Sequence, residues 1–428
     1  MIYWLKPATA DAQNANPITL SEERIITNDA SVVYPTKVHF RLEVDPALTI
    51  VDAVLTYDVE QISCLDVSTQ VPVEVDGPDI EWEWPMIRSG NPPPGADLWW
   101  EWTLTDDQGQ TYTTPRQNLK FTDDRFSWQT ISEGDVTLHW YDGEEVGPLL
   151  LESAVAGLAL LEEDLGIELQ EDVEFYIYGG SDDMRNAVLY IQDWAGAVAF
   201  PEYNIILVGV PPHLAEDWGR STIRHELAHL VVGQYGRSCV GGRRPTWLEE
   251  GLAMYAEGEP STDVTTDLDQ GIKENSFAPL RSLNGPFPAH DDEAGSAYSQ
   301  SYSTIKYLRE AYGQEKLQTL LLLLAQGESY DDALEQTYGM NVDGLEQQWR
   351  IWIDVPARQI PPTPIPLSAS GVPTVVPLAG PATVPTPHAP AGQSENPAPV
   401  EPTSGLCGFG LVPLLLVGFF AWRKKGIT

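Results

Sequence analysis

Hydrophobic and polar positions follow two different periods along this chain, and the change of period divides it. From about residue 17 to 125 the apolar positions show the alternation or β-rich runs of half-buried strands: Val38 to Val44, Ile50 to Val59 and Trp99 to Thr105. Turn signals separate these runs at Asp45-Pro46, Asp76-Gly77-Pro78 and Asp106-Asp107-Gln108-Gly109. From residue 127 the pattern is mixed. Val136 to Tyr141, Val173 to Tyr178 and Asn204 to Val210 read as strands, and Leu149 to Leu165 reads as an apolar-rich helix. Beyond residue 250 the helical period dominates, over about 294–312, 314–326, 329–338 and 342–354. Residues 356–404 then lose nearly all large apolar side chains while proline becomes the commonest residue, and Leu406 to Trp422 is almost wholly apolar before the basic run Arg423-Lys424-Lys425.

These patterns predict a multidomain chain. Residues 17–126 are expected to form an all-β, immunoglobulin-like sandwich, because no helical pattern interrupts the strands. Trp82, Trp84, Trp99, Trp100 and Trp102 fall inside it, as core and cross-strand packing or, alternatively, as an aromatic platform for carbohydrate. Residues 127–355 are expected to form an α+β domain, and 356–404 an extended linker with no core of its own. Residues 405–428 read as a single transmembrane helix, close to the ~17 residue lower limit for crossing a bilayer, with the basic tail on the cytoplasmic side. A short apolar stretch with a basic tail also fits a sorting signal that is cleaved after export. At the other end, residues 1–16 look like the last part of a signal peptide and the mature N-terminus: Ala8-Thr9-Ala10 and Ala10-Asp11-Ala12 resemble cleavage sites, but Met1 to Lys6 has no apolar core. The expectation is a start upstream and a mature chain beginning near Asp11 or Gln13.

The chemistry is concentrated in His225-Glu226-Leu227-Ala228-His229. At 3.6 residues per turn the two histidines lie one turn apart on the same face and can share a metal, while Glu226 projects beside them and can hold a water. Ile223, Leu227, Leu230 and Val231 recur at helical spacing, Asp217 is a candidate cap, and Gly233 and Gly236 offer an end. One stripe is expected to face a core and the histidines to face elsewhere. A third ligand follows in Pro245-Thr246-Trp247-Leu248-Glu249-Glu250-Gly251. With Thr246 as N-cap, Glu249 completes a capping box and Glu250 is the freer carboxylate. Adjacent Gly251 removes side-chain bulk where two helices approach. Two histidines and a glutamate leave the fourth position of zinc open, which marks a catalytic rather than a structural site. The blander alternative is a pair of ordinary histidines on an amphipathic helix.

His-Glu-Leu-Ala-His followed by Pro-Thr-Trp-Leu-Glu-Glu-Gly-Leu-Ala-Met-Tyr resembles the gluzincin zinc metallopeptidases, and among them the peptidase MA-like domains. The stretch Ala297 to Tyr302, continuing through Tyr307-Leu308 and Tyr312-Gly313, and the ending around Leu345, Trp349 and Trp352, also resemble that family's C-terminal helices. The resemblance implies one zinc held by His225, His229 and Glu250, with Glu226 as the general base. It implies two lobes with the metal between them, and substrate pairing through its backbone with a strand near Gly196 to Pro201. Tyr298 or Tyr302 is a candidate for stabilising the transition state, with His290 a weaker one. Thermolysin-like relatives orient a histidine with an acid four residues after the glutamate ligand. Here that position is Met254, so the orienting group is expected elsewhere.

Composition narrows the partners. With 24 Lys+Arg against 63 Asp+Glu the net charge is −39, which disfavours a nucleic-acid partner. Cys64, Cys239 and Cys407 are too few and too scattered for a disulfide framework or a cysteine zinc cluster. The reading is therefore a monomeric cell-surface zinc peptidase acting on peptide or protein, anchored in the membrane with its catalytic domain outside, or released if the anchor is cleaved. The alternative is a zinc-binding but catalytically weak adhesion or peptide-binding protein.

Overall fold

Alternation makes the first hundred residues β-rich. The computed structural model describes residues 17–63, 67–192, 195–235, 244–287 and 291–358. In it strands β1 (Ile18–Thr19), β2 (Ile25–Val33), β3 (Lys37–Val44), β4 (Ile50–Val59), β5 (Thr69–Val73), β6 (Asp79–Pro85), β7 (Asp97–Asp106), β8 (Thr111–Thr113) and β9 (Gln117–Lys120) make two sheets. One has the order β1-β8-β7-β4-β5 with β9 paired to β7, and the other β2-β3-β6. Every second residue of β3 and β7 is buried: Val38, Phe40, Leu42 and Val44, and Leu98, Trp100, Trp102 and Leu104. That alternation puts Trp100 and Trp102 in the core. Trp82 and Trp84 pack on the Tyr57 ring at centroid distances of 5.3 and 5.0 Å, and Trp99 is covered by the Arg116 guanidinium at 3.6 Å.

The second half opens with another sheet. Strands β10 (Gln129–Glu133), β11 (Val136–Trp140), β12 (Val173–Tyr178), β13 (Ala197–Phe200) and β14 (Ile205–Gly209) assemble in the order β10-β11-β12-β14-β13. β11, β12 and β14 run parallel, while β10 and β13 are antiparallel edges. The nearly continuous apolar runs of β12 and β14 are what a sheet covered on both faces requires. Phe175, Ile177, Ile206 and Val208 share a core with helices α1 (Val146–Leu160) and, after the short α2 (Ser181–Arg185), α3 (Arg220–Tyr235). Tyr176, Tyr178, Ile205 and Leu207 point the other way and join the core of the N-terminal sheets. The contact is close. Gly95, at φ +93°, lies against Tyr176, where a Cβ would sit 2.5 Å from the phenol oxygen. The Tyr178 hydroxyl donates to Asp123 at 3.0 Å, a fully buried carboxylate that also pairs with Arg125 at 2.6 Å.

Helices α4 (Thr246–Ala256), α5 (Thr262–Glu274), α6 (Asp291–Tyr312), α7 (Gln314–Ala325), α8 (Tyr330–Tyr338) and α9 (Val342–Trp352) complete the chain. Helix α5 carries a narrow apolar stripe, Val264, Leu268 and Ile272, on an otherwise polar surface, and it starts where Ser261 accepts a hydrogen bond from Val264 N at 3.3 Å. The expected helix ending at Leu165 is α-helical only to Leu160 and continues as a π turn to Leu165. Among the described residues no helix is long and apolar enough to cross a membrane. The expected signal remnant at 1–16, the linker from residue 359, the segment 405–428, and Cys64, Cys239, Cys407 and His290 all lie outside the described residues.

Candidate metal centre

Helix α3 lies between the sheet and α1 on one side and α4 on the other, so it is buried nearly all round. Ile223, Leu227, Leu230 and Val231 join the core as expected, and the histidines face Glu250 on α4 instead, but they are buried there. His225 and His229 are 6 % and 7 % exposed, and Glu226 only 1 %. Asp217 is not a cap, because the helical path already begins with a π turn over Ala215–Gly219. At the far end Gln234 accepts hydrogen bonds from Gln170 N and Glu171 N at 2.9 and 3.1 Å and donates to Asn204 Oδ1 at 2.9 Å. That side chain ties the end of α3 to the segment before β12 and to the β13–β14 turn.

Helix α4 brings in the third group. Its N-cap is Pro245, and Thr246 is already helical, so the expected Thr246–Glu249 capping box does not form. The Thr246 hydroxyl instead donates to Asn284 O at 3.3 Å, and Glu249 pairs with Arg244 at 3.1 Å. Glu250, one residue further round, faces α3. Close crossing of α4 and α6 depends on Gly251, where a Cβ would meet Ser301 O at 2.7 Å.

The structure brings His225, His229 and Glu250 together. One ligand atom from each lies within 4.8 Å of the others, and all three residues are buried. Glu250 Oε2 is 3.5 Å from His225 Nε2 and 3.6 Å from His229 Nε2. Two tetrahedral ligands each ~2.0–2.1 Å from zinc stand about 3.4 Å apart, so these separations fit the ion. The imidazole rings are 4.9 Å apart at 78°. His225 Nε2, His229 Nε2, Glu250 Oε2 and both oxygens of Glu226 are buried without a hydrogen-bond partner. Uncompensated burial of this kind is costly, and a divalent cation with a water resolves it for all of these atoms at once. The donor set therefore fits zinc.

Charge within the cluster is strongly coupled. Burial opposes ionisation of Glu250, yet His229 and His225 outweigh it and hold its pKa at about 2. Burial also disfavours a charged His225, but Glu250 and Glu257 together raise its pKa well above the ordinary histidine value. Glu226 moves the other way: burial raises its pKa, and the two histidines offset this only in part.

Glu257 was not anticipated from the sequence. Its carboxylate accepts from His225 Nδ1 at 2.8 Å, turning Nε2 toward the cluster, and Arg224 Nη1 holds its carbonyl at 3.0 Å. Arg224 is in turn bonded to Ser153 on α1 at 2.9 Å. Glu257 is seven residues after Glu250, two helical turns along the same face, and that spacing is the signal that points to it. Tyr298 and Tyr302 pack with Met254, one turn beyond Glu250, at 5 % and 7 % exposure. Tyr298 meets the Phe287 ring and Tyr302 the Tyr255 ring, at 5.0 and 6.2 Å. The Tyr302 pKa is raised by burial, with Glu259 and Glu310 adding to it; none of Glu226, Glu250 or Glu257 is among its charged neighbours.

Two helices thus bury a histidine pair and two glutamates side by side in a set that could hold a metal ion. Residues 153–355 match the model of the Peptidase MA superfamily. A variant of a two-domain M1 zinc metallopeptidase bound to L-arginine is 16 % identical, covering 78 % of this chain and 93 % of its own, with a TM-score of 0.35. An M1 zinc metallopeptidase from Deinococcus radiodurans is 16 % identical over 77 % of this chain and 91 % of its own, with a TM-score of 0.33. A fibronectin type III domain of human collagen XX is 14 % identical over 25 % of this chain and 99 % of its own, with a TM-score of 0.19. No curated protein sequence matches the chain at a significant level.

Proposed function

We propose that this protein is a zinc-dependent peptidase in which His225, His229 and Glu250 hold the metal and Glu226 is the general base. The observation that carries this reading is the convergence of three buried, unpartnered ligand atoms beside the unpartnered Glu226 carboxylate. Bound zinc supplies Lewis-acid polarisation of a carbonyl and lowers the pKa of water toward ~7. Glu226 then accepts a proton as water attacks the scissile carbonyl, and returns it to the leaving amine. Glu257 keeps His225 in one tautomer and orientation. Tyr298 or Tyr302, which both pack on Met254 one turn beyond Glu250, is the candidate donor for the developing oxyanion.

The edge strand β13 is the candidate for docking an extended substrate through its backbone. Ala197 and Ala199 face the helix-side core and Val198 and Phe200 the N-terminal core, and among the described strands β13 pairs only with β14. We further read the N-terminal region as an immunoglobulin-like sandwich, and the chain as a monomer anchored by residues 405–428 with its catalytic part outside the cell, or released by cleavage. Those parts rest on sequence pattern.

Zinc analysis of the full chain joined to a peptide-library cleavage assay tests the function. Wild type should hold one zinc and cleave. Glu226→Gln should hold the same zinc while turnover falls at least ~100-fold, because an amide cannot accept the proton. Near-normal turnover in that variant would remove Glu226 from the role of base.

A further inference from the structure

Strand β13 is held from the side opposite the metal helix. We propose that the N-terminal β region is a positioning element for β13, setting the strand against which substrate docks rather than supporting the metal helix. The inference rests on the proposed docking role of β13.

Five polar contacts from the N-terminal region bracket the connection that contains the strand. Before it, the Tyr34 hydroxyl and Asn91 Nδ2 both donate to Ala187 O at 2.9 Å, Asn91 Oδ1 accepts from Leu189 N at 2.7 Å, and Arg125 Nη1 donates to Asn186 O at 3.2 Å. After it, Ile62 N donates to Glu202 O at 2.7 Å. Between these clamps Val198 and Phe200, at 5 % and 7 % exposure, are buried in the core of the N-terminal region. All these contacts reach across from residues before 126 to backbone around the edge strand. None of them touches α3 or α4, which carry the metal ligands. An edge strand has hydrogen bonds on one side only, so its precise placement depends on what packs against its faces. Here one of those faces belongs to the N-terminal region.

Removing the clamp hydrogen bonds should loosen β13 locally and leave the metal in place. The test uses the zinc-loaded full chain carrying Tyr34→Phe and Asn91→Ala together, with Tyr34→Phe alone as the milder variant if the pair does not fold. Hydrogen–deuterium exchange is read over residues 195–205 and 220–235, zinc content is measured, and KM and kcat are taken on a quenched-fluorescence peptide that wild type cleaves. The expected result is exchange about tenfold faster around β13, unchanged exchange in α3, full zinc, and KM raised about tenfold with kcat within about twofold. Unchanged exchange at β13 and unchanged KM would overturn the proposal. Parallel loosening of α3 with loss of zinc would also overturn it, since the region would then be a general support. If wild type itself cleaves no peptide, the peptidase reading fails separately, and exchange still decides whether β13 is held from this side.

Discussion

The two faces of the β10–β14 sheet are covered by parts of the chain that differ in how they reach it. On one face lie α1 and α3, which follow their strands closely in sequence, and α3 carries two of the proposed metal ligands. On the other lies the N-terminal region, whose residues reach the sheet from about a hundred positions away, as when Asn91 bonds Ala187 and Leu189. The first face is local and chemical; the second is distant and mechanical. Burying Tyr176, Tyr178, Ile205 and Leu207 at roughly 1.5–3 kcal/mol each makes the second face part of the fold, not an appended arm. An isolated peptidase segment would expose that whole face to water. The same sheet thus divides the labour: one side builds the reaction centre, and the other sets the frame around its edge.

The largest expected effect breaks the chemical face. Glu250→Ala should leave below roughly a tenth of wild-type zinc after dialysis, since two histidines alone hold the ion weakly against water. Glu249→Ala, one residue away, should keep full zinc and lose about 1 kcal/mol of stability with its partly buried Arg244 partner. Zinc content and melting temperature of both variants separate the cases, and a reversal would put the α4 phase one residue out.

That phase shows how much of the centre was legible in the sequence. His225, Glu226 and His229 are read from helical periodicity alone, because all three stand on one helix within one turn. Glu250 needs only the start of a second helix. The structure brings Glu250 beside the histidines even though the cap was misplaced: Pro245 occupies the cap position and Glu249 pairs with Arg244 rather than with the backbone. The period-two runs likewise mark β3, β4, β7 and β12 within a residue or two of their ends. Helix α5 was passed over although Val264, Leu268 and Ile272 recur at helical spacing. What else escaped depends on contacts between distant elements. The burial of α3 on both sides appears only when α4 packs on it. The Asn91 and Tyr34 clamps have no sequence signal, since their partners are main-chain carbonyls and amides that any residue supplies.

A smaller effect sharpens the chemical side. Glu257→Gln preserves shape but removes the charge that His225 Nδ1 faces at 2.8 Å. Groups that orient a ligand histidine in this way are worth about 10–100-fold in metal affinity. Titration with a competing chelator should show a loss in that range while the fold stays intact. A loss as complete as in Glu250→Ala would make Glu257 itself a ligand, and no loss would free His225 from its influence.

The smallest effect belongs to the mechanical face and is driven by acid. Glu174, on β12, meets Lys120 of the N-terminal region at 3.2 Å and His139 at 3.3 Å. Burial opposes its ionisation, but the His139 hydrogen bond and the Lys120 charge outweigh it and lower the pKa from 4.5 to about 2. A carboxylate with a lowered folded-state pKa stabilises the fold above its unfolded pKa, because the unfolded chain takes up the proton first as pH falls. The contribution is therefore complete above 4.5 and fades as pH drops toward about 2. With the side chain 33 % exposed, solvent screening reduces it to about 1 kcal/mol. Glu174→Gln should accordingly melt a few degrees below wild type near neutrality, with the gap closing on acidification. Zinc content at neutral pH should not change, since this pair lies across the sheet from the metal helices. A gap that stays constant with pH would mean that Glu174 acts by packing and not by charge, and the acid sensitivity of this face would then have to lie in other carboxylates.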